Sequence, residues 1–477
     1  MQNRHKKWKT LLSLLMCGIM LMGCSASKTG ETLIGSQVME NEESRAVSIS
    51  FLGGQDVMPI TGYVGPYQHE YSTDGNVFPE YITEDYYQKI KDSGINLIVY
   101  SFTDYASESE AVINNLELAG KYGIGMFVTD GNVTGKTVQD EITVEEVAKE
   151  IVNYSDYEAF CGMYLVDEPQ ATYYSMGDGS RLLGKYEQLA DVLHNKLDIL
   201  SYCNAYPISD MGRNKENYER YIKEFCDILQ PKVLCWDFYP FDEIREGKME
   251  VYFYNMDLIR KTAEERNIPF WAYIQAGSQW NDSYNELPSK TPYWPNEFQF
   301  NWNVNTSLAF GAQGIQYFPL MQPYQFTLAE NGKWDFQRNG LLGGVGNKNQ
   351  WYYYAQKINK HIAAIDEVLM NCVNKGVIVS GEQAKLDMAL TTCEIKGGTF
   401  NQLKSVSGDA MVGCFNYHGK TALYVVNYDM EHAQEITLTF DGSQNVKMIQ
   451  NAETSYVKGK ALTLDMAAGE GILLVLE

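Results

Sequence analysis

Histidine is scarce in this chain, with six in 477 residues, and His5 lies in the N-terminal leader. None of the other five ends an apolar run, so neither a histidine-bound metal nor a Ser or Cys nucleophile with a His base finds its partners. Nine cysteines include no CxxC pair and no Cys/His cluster with zinc spacing, and Cys161, Cys203 and Cys235 sit inside apolar runs. They read as small core hydrophobes rather than a disulfide scaffold or a metal centre. Positive charge is short as well: 38 Lys and Arg stand against 61 Asp and Glu, a formal charge of −23. Nucleic acid and anionic lipid headgroups, which need basic patches, are thereby disfavoured, and neutral ligands remain. A Gly-rich phosphate loop is missing after the first apolar run, which counts against a dinucleotide cofactor. No cofactor and no metal is called for.

Aromatics are abundant, at 13% of residues with 34 Tyr and 8 Trp. Such a surplus lines sugar-binding clefts or fills a tyrosine-rich core, and composition alone does not choose. At the N-terminus a basic leader, "MQNRHKKWK", precedes "TLLSLLMCGIMLM", too short to span a bilayer comfortably, and then "LMGC". This arrangement resembles a bacterial lipoprotein signal. The resemblance implies cleavage before Cys24, a lipid anchor on the Cys24 thiol and a polar tether, "SASKTGETLIGSQVMENEESR". An uncleaved single anchor is the alternative, and both place the body of the protein outside the cytoplasm. With Cys17 removed and Cys24 lipidated, an odd seven cysteines would remain.

From about residue 57 one pattern repeats: a short apolar run ending in polar or aromatic residues, then a stretch with helical periodicity. The runs are "MPITGYVGPY", "INLIVYSFTDY", "GIGMFVTDGN", "FCGMYLVDEP", "DILSYCNAYP", "KVLCWDFYPF", "IPFWAYIQAG" and "GAQGIQYFPL". Helices are predicted between them, in "TEDYYQKIKDSG" with Thr83 and Gly94 as caps, in "MEVYFYNMDLIRKTAEERN" and in "NVNTSLAFGA". Eight strand-then-helix units over some 260 residues predict an α/β fold of the (β/α)8 barrel type. The long helix "NQWYYYAQKINKHIAAIDEVLM" leads to runs from about 376 that are short, alternating and separated by turns, which predict a small antiparallel β-sandwich. The expected segments are a signal over 1–23, a tether over 24–50, a barrel over 51–370 and a sandwich over 371–477.

In such a barrel the C-terminal strand ends form the active face. Asp167 and Glu168 end the fourth run, Asp237 the sixth and Gln275 the seventh, with Asp104, Asp130, Asn132, Asn204, Tyr206 and Tyr239 as further face residues and Trp236, Trp280 and Trp294 nearby. Carboxylates and amides that bond hydroxyls, beside aromatic faces that stack on C–H surfaces, suit a carbohydrate. Glycosidic cleavage needs one carboxylic acid to protonate the leaving oxygen and a second carboxylate as nucleophile or base. Glu168, after an apolar run and before Pro169, is the expected acid, its pKa raised by a partly dehydrated site. Alternation along the strand turns Asp167 away from Glu168 unless the strand has broken, so Asp167 is expected to orient substrate or pair with a neighbour. The plainer reading is that the two acids cap the next helix.

The eight runs, with Glu-Pro after the fourth and aromatic ends at the sixth and eighth, resemble clan A glycoside hydrolases, retaining enzymes whose acid/base lies in Asn-Glu-Pro at the end of strand four. "VDEP" matches at Glu168 and Pro169 and offers Asp167 for the Asn; "NWNVNTSLAFGAQGIQYFPL" resembles the last helix and strand of β-galactosidase-like members. The similarity spans roughly 57–325 and implies a carbohydrate substrate. One departure counts against it: the clan's nucleophile is a glutamate ending strand seven, where this chain has Gln275. A neutral amide cannot form the glycosyl ester. Asp237 is the first substitute and Glu297, before "FQFNWNVNTSLAF", the second; attack by a substrate acetamido group is a third route. The rival from another class is a barrel that lost its chemistry and binds sugar as a lipoprotein.

Overall fold

The structure, a computed structural model, describes residues 43–66, 72–73, 76–77, 80–100, 109–130, 143–169, 186–208, 214–241, 249–277, 294–322, 328–330, 333–335 and 339–477. Each of the eight apolar runs forms a strand: β1 Ile60–Tyr63, β2 Leu97–Tyr100, β3 Gly125–Val128, β4 Phe160–Asp167, β5 Ser201–Ala205, β6 Leu234–Trp236, β7 Phe270–Gln275 and β8 Ile315–Phe318. They are parallel and close into a barrel in sequence order, β8 returning to β1 through Ile60 opposite Ile315 and Thr61 opposite Gln316. Both faces of such strands are covered, one by the lumen and one by helices, which is why the runs are apolar throughout.

The described helices include α1 Glu84–Asp92, α2 Ser109–Tyr122, α3 Val144–Tyr154, α4 Lys215–Leu229, α5 Met249–Glu265, α6 Glu297–Ala309, α7 Gln350–Met370 and α8 Glu382–Asp387. Local chemistry sets their ends. Thr83 takes the extended N-cap conformation of α1 without a side-chain cap bond, and Gly94, at φ +83°, turns the chain just past the helix. The Asn214 side chain caps α4, and Asn296 with Gln299 forms a reciprocal capping box on α6. Among the described residues no helix is long and apolar enough to cross a membrane.

Tyrosines account for much of the lumen. The rings of Tyr164 and Tyr202 lie 5.1 Å apart, those of Tyr63 and Tyr273 5.4 Å, and Trp271, Phe127 and Phe318 complete the packing. A good part of the aromatic surplus is therefore core.

After α7, seven antiparallel strands form one hydrogen-bonded sheet: β9 Cys372–Ser380, β10 Leu403–Ser407, β11 Ala410–Tyr417, β12 Lys420–Asn427, β13 Gln434–Gln450, β14 Glu453–Met466 and β15 Gly471–Leu476. Their order is β9-β11-β12-β15-β13-β10, with β14 on β13. The long β13 pairs β10 with its first half and β15 with its second, and its register with β14 shifts between Thr439 and Gln444. Alternation then buries both faces. Met411, Phe415, Tyr424, Val426, Leu473 and Val475 join the barrel's hydrophobic cluster, while Val412, Cys414, Leu423, Val425, Ile472 and Leu474 form a second one on the sheet's other face. Barrel and sheet belong to one compact unit beginning at Asn41.

Helix α6 joins the two layers. It packs on β11, β12 and β15, the Asn305 side chain donating to the Gly469 carbonyl at 2.8 Å and accepting from the Tyr424 hydroxyl at 2.7 Å. On its other side, Asn303 Oδ1 accepts the Gln275 backbone N–H at 3.1 Å.

Candidate active site

Three strands deliver carboxylates or their partners to the C-terminal mouth of the barrel. The strand-four alternation does not run as the sequence implies. Tyr164 pairs with Tyr202 but Val166 pairs with Cys203, so Leu165 is an extra residue, a β-bulge, and Asp167 comes opposite Asn204. The bulge brings Asp167 round to the mouth side of the strand, beside Tyr63 and Asn204. Its Oδ2 accepts from the Tyr63 hydroxyl at 2.9 Å, which lies 2.9 Å from the Tyr164 hydroxyl, and its Oδ1 accepts from Asn204 Nδ2 at 3.1 Å. The pairing expected for Asp167 is present.

The same Asn204 Nδ2 donates to Asp237 Oδ1 at 3.0 Å. Both carboxylate oxygens therefore lie on one nitrogen, no more than about 6 Å from each other. Asp237 follows the last residue of β6 and is half-buried; Asn204 lies in β5, 2% exposed, and its Oδ1 is buried with no partner among the described residues.

Glu168 follows directly, half-buried, its backbone N–H donating to the Asn204 carbonyl at 3.1 Å. Its φ of +45° is left-handed, a conformation that costs a glutamate energy and that clusters at functional sites. Tyr239 registers how close the acids lie. Its hydroxyl is held well above the usual phenol range, first by burial and then by the charges of Asp237, Glu168 and Asp167. Tyr221 of α4 is raised by burial and, in smaller measure, by Glu168 and Asp237, and Tyr164 by burial and then by Asp167. The tyrosines of this mouth are therefore neutral donors. Tyr206 sits beside them, its N–H donating to the Tyr221 hydroxyl at 3.0 Å and its carbonyl accepting from Tyr218 at 2.9 Å.

Other candidates lie elsewhere. Gln275 is 1% exposed and its amide is spent on backbone, Nε2 donating to the Gly277 carbonyl at 3.1 Å and Oε1 accepting from the Phe241 N–H at 3.3 Å. It ties the end of strand seven to the chain after strand six. Trp236 points outward, packing on Tyr252 of α5 with ring centroids 5.9 Å apart, because its neighbour Cys235 takes the inward position beside Tyr202. Asp130 is fully buried and accepts from the Tyr154 hydroxyl. Glu297 lies in the first turn of α6, paired with Lys357 of α7 at 2.7 Å, and Trp294 stacks on Trp351. Asp104, Asn132, Trp280 and Cys24 fall outside the described residues. Sequence reasoning passed over Tyr63, Tyr164 and Tyr221; Tyr63 ends the first strand and was open to the same rule that singled out the others.

Among the described residues no group of three or more His, Cys, Asp or Glu side chains could hold a metal ion. A groove of about 1060 Å³ opens at the other end of the barrel, lined by residues that enter the strands, such as Phe160, Leu200, Lys232 and Pro269.

No protein-family description matches the chain, and no curated protein sequence matches it. Solved structures share its fold. A β-galactosidase from Bacillus circulans sp. alkalophilus superposes with a TM-score of 0.54 at 10% identity, over 88% of this chain and 99% of that one. A β-galactosidase from Marinomonas ef1 gives 0.46 at 11% identity, over 69% of this chain and 64% of the other. A glucosidase from Croceicoccus marinus gives 0.40 at 10% identity, over 87% and 94%. The chain thus spans just under two thirds of the Marinomonas enzyme and nearly all of the other two. What the Bacillus circulans enzyme shares with this chain is its fold, here a closed eight-stranded parallel barrel. At such identities the likeness is one of fold, and function rests on the site.

Proposed function

We propose that this chain is a glycoside hydrolase acting on an oligo- or polysaccharide, with Glu168 as proton donor and Asp237 as nucleophile or base. The observation that carries the reading is the meeting of Asp167, Glu168 and Asp237 at the C-terminal mouth, where Tyr239 feels the charge of all three. A glycosidic oxygen lodged between Glu168 and Asp237 would receive the Glu168 proton as its bond to the anomeric carbon breaks. Asp237, a hydrogen-bonded acceptor, would attack that carbon or take a proton from the attacking water. Tyr221 and Tyr239 supply neutral hydroxyls of the kind that bond a polyol.

Gln275 favours a second reading. Strand seven ends in an amide fully engaged with backbone, which matches a barrel that binds sugar without cutting it. Two substitutions decide. Glu168→Gln should abolish turnover of glycosides with poor leaving groups while sparing binding and, in large part, cleavage of activated aryl glycosides. Asp237→Asn should damage both substrate types. Absence of wild-type hydrolysis over a broad glycoside panel, with calorimetric sugar binding unchanged in both variants, would leave the binding reading. The proposal extends to location: "LMGC" supports a body held outside the cytoplasm by a lipid on Cys24.

A further inference from the structure

One amide nitrogen serves two carboxylates in this mouth. Asn204 Nδ2 carries two hydrogens, and the two oxygens it meets, Asp167 Oδ1 at 3.1 Å and Asp237 Oδ1 at 3.0 Å, can use one each. The orientation of the amide follows from this. Turned over, Asn204 would aim its carbonyl oxygen at both acids and lose both bonds. In the orientation observed, the remaining atom, Oδ1, is a buried acceptor without a partner among the described residues, so a ligand hydroxyl that reached it would complete the amide.

A hydrogen bond donated to a carboxylate favours its ionised form, and a carboxylate that accepts one in that form is a poor proton donor. We infer that Asn204 is a positioning residue that bridges Asp167 and Asp237 and keeps Asp237 a hydrogen-bonded, ionised acceptor, reserving proton donation for Glu168. The inference rests on the glycosidase reading for the roles of Glu168 and Asp237, but the hydrogen bonds do not depend on it. Tyr63 supports the arrangement from the far side of Asp167, donating to Oδ2. Coupling follows from the shared amide: a ligand hydroxyl donating to Oδ1 polarises the group and strengthens both N–H donations, so occupancy is passed to the acids.

The groups facing Asp237 bear on any pH test. Glu168 and Asp167 share its surroundings from β4, Cys235 and Tyr239 from its own segment, and Tyr218 and Tyr221 from α4. Burial keeps Cys235 and all three tyrosines neutral far above physiological pH, so the acids are the groups that titrate.

The test is a carbon-13 carboxyl titration of full-length protein labelled at aspartate, the Asp237 resonance being the one lost in Asp237→Asn. Asn204→Leu, nearly isosteric and without donors, should move the Asp237 midpoint up by about one pH unit, and Asn204→Ser, which can donate to only one acid, by less. Should the Leu variant not fold, the Ser variant carries the result alone. An unchanged midpoint in a folded variant overturns the role of Asn204. On the glycosidase reading the acid limb of kcat/KM moves up with the midpoint, whereas a merely structural loss lowers kcat and leaves the limb in place. Full turnover in Asp237→Asn would instead overturn the glycosidase roles, the titration still deciding Asn204.

Discussion

His361 gives a stability prediction whose size follows from its surroundings. The imidazole sits on α7, 7% exposed, with Nδ1 accepting the Ala452 N–H at 3.3 Å and Nε2 buried without a partner among the described residues. Burial pushes its pKa down to about 4, against 6.5 in an unfolded chain, the Gly471 backbone opposing only in part. Between those values the unfolded chain binds a proton that the folded one refuses. Stability is therefore full above pH 6.5 and is lost as the pH falls towards 4. Going from pH 7.5 to 4.5, the loss assigned to this one residue is about 2.5 kcal/mol. His361→Gln can keep the acceptor for Ala452 but has nothing to titrate. The assay is urea unfolding of wild type and variant at both pH values, read as the change with pH in their difference. Other titrating groups cancel in that difference, including His194, which burial and then Lys232 lower to about 4, and Asp387, which burial raises. The variant should gain about 2–3 kcal/mol on wild type over the interval. A difference that does not change with pH refutes the reasoning.

Gln275→Glu places at the end of strand seven the carboxylate that the clan A resemblance implies, but here it replaces a buried donor with a charge facing the Gly277 carbonyl. It should lower stability by about 3 kcal/mol without raising hydrolysis, measured by urea midpoint and glycoside turnover; a stable, more active variant would show that a carboxylate at this position can serve catalysis. Cys24→Ser should release the protein from membranes or trap an unprocessed form, followed by lipid labelling and fractionation; unchanged processing and anchoring would exclude the lipoprotein reading.

The eight strands were legible because each is an apolar run bounded by turns, and each lies where its run lies, from Ile60 to Phe318. The C-terminal β unit was legible in outline. Strands β10 and β14 were not, since residues such as Lys404, Glu453 and Lys458 face solvent and leave no apolar run to find. At the site, Glu168 and Asp237 were legible as acids at strand ends. Which way Asp167 turns was not, because one inserted residue inside "MYLVD" inverts the alternation and periodicity does not mark it. Trp236 shows the same limit: in a strand covered on both sides, an aromatic at the end serves either the lumen or the helix layer, and Cys235 decided it. At Gln275 the sequence showed an amide where the resemblance implies a carboxylate, and its use as a tie between backbone segments needed the fold.

The bracing of α6 has a consequence for how the molecule is made. The last partner of Asn305 in the chain is Gly469, and β15, which lies against the same helix, ends at Leu476. Ribosomal synthesis delivers these residues some 160 positions behind the helix they cover. Until they emerge, α6 and the face of the barrel it helps to close stay uncovered, so the nascent barrel cannot settle strand by strand as it appears. Completion of this flank waits on β15. A polypeptide cut short by even one strand would leave an apolar flank open at the moment when chaperones and proteases sort finished chains from broken ones.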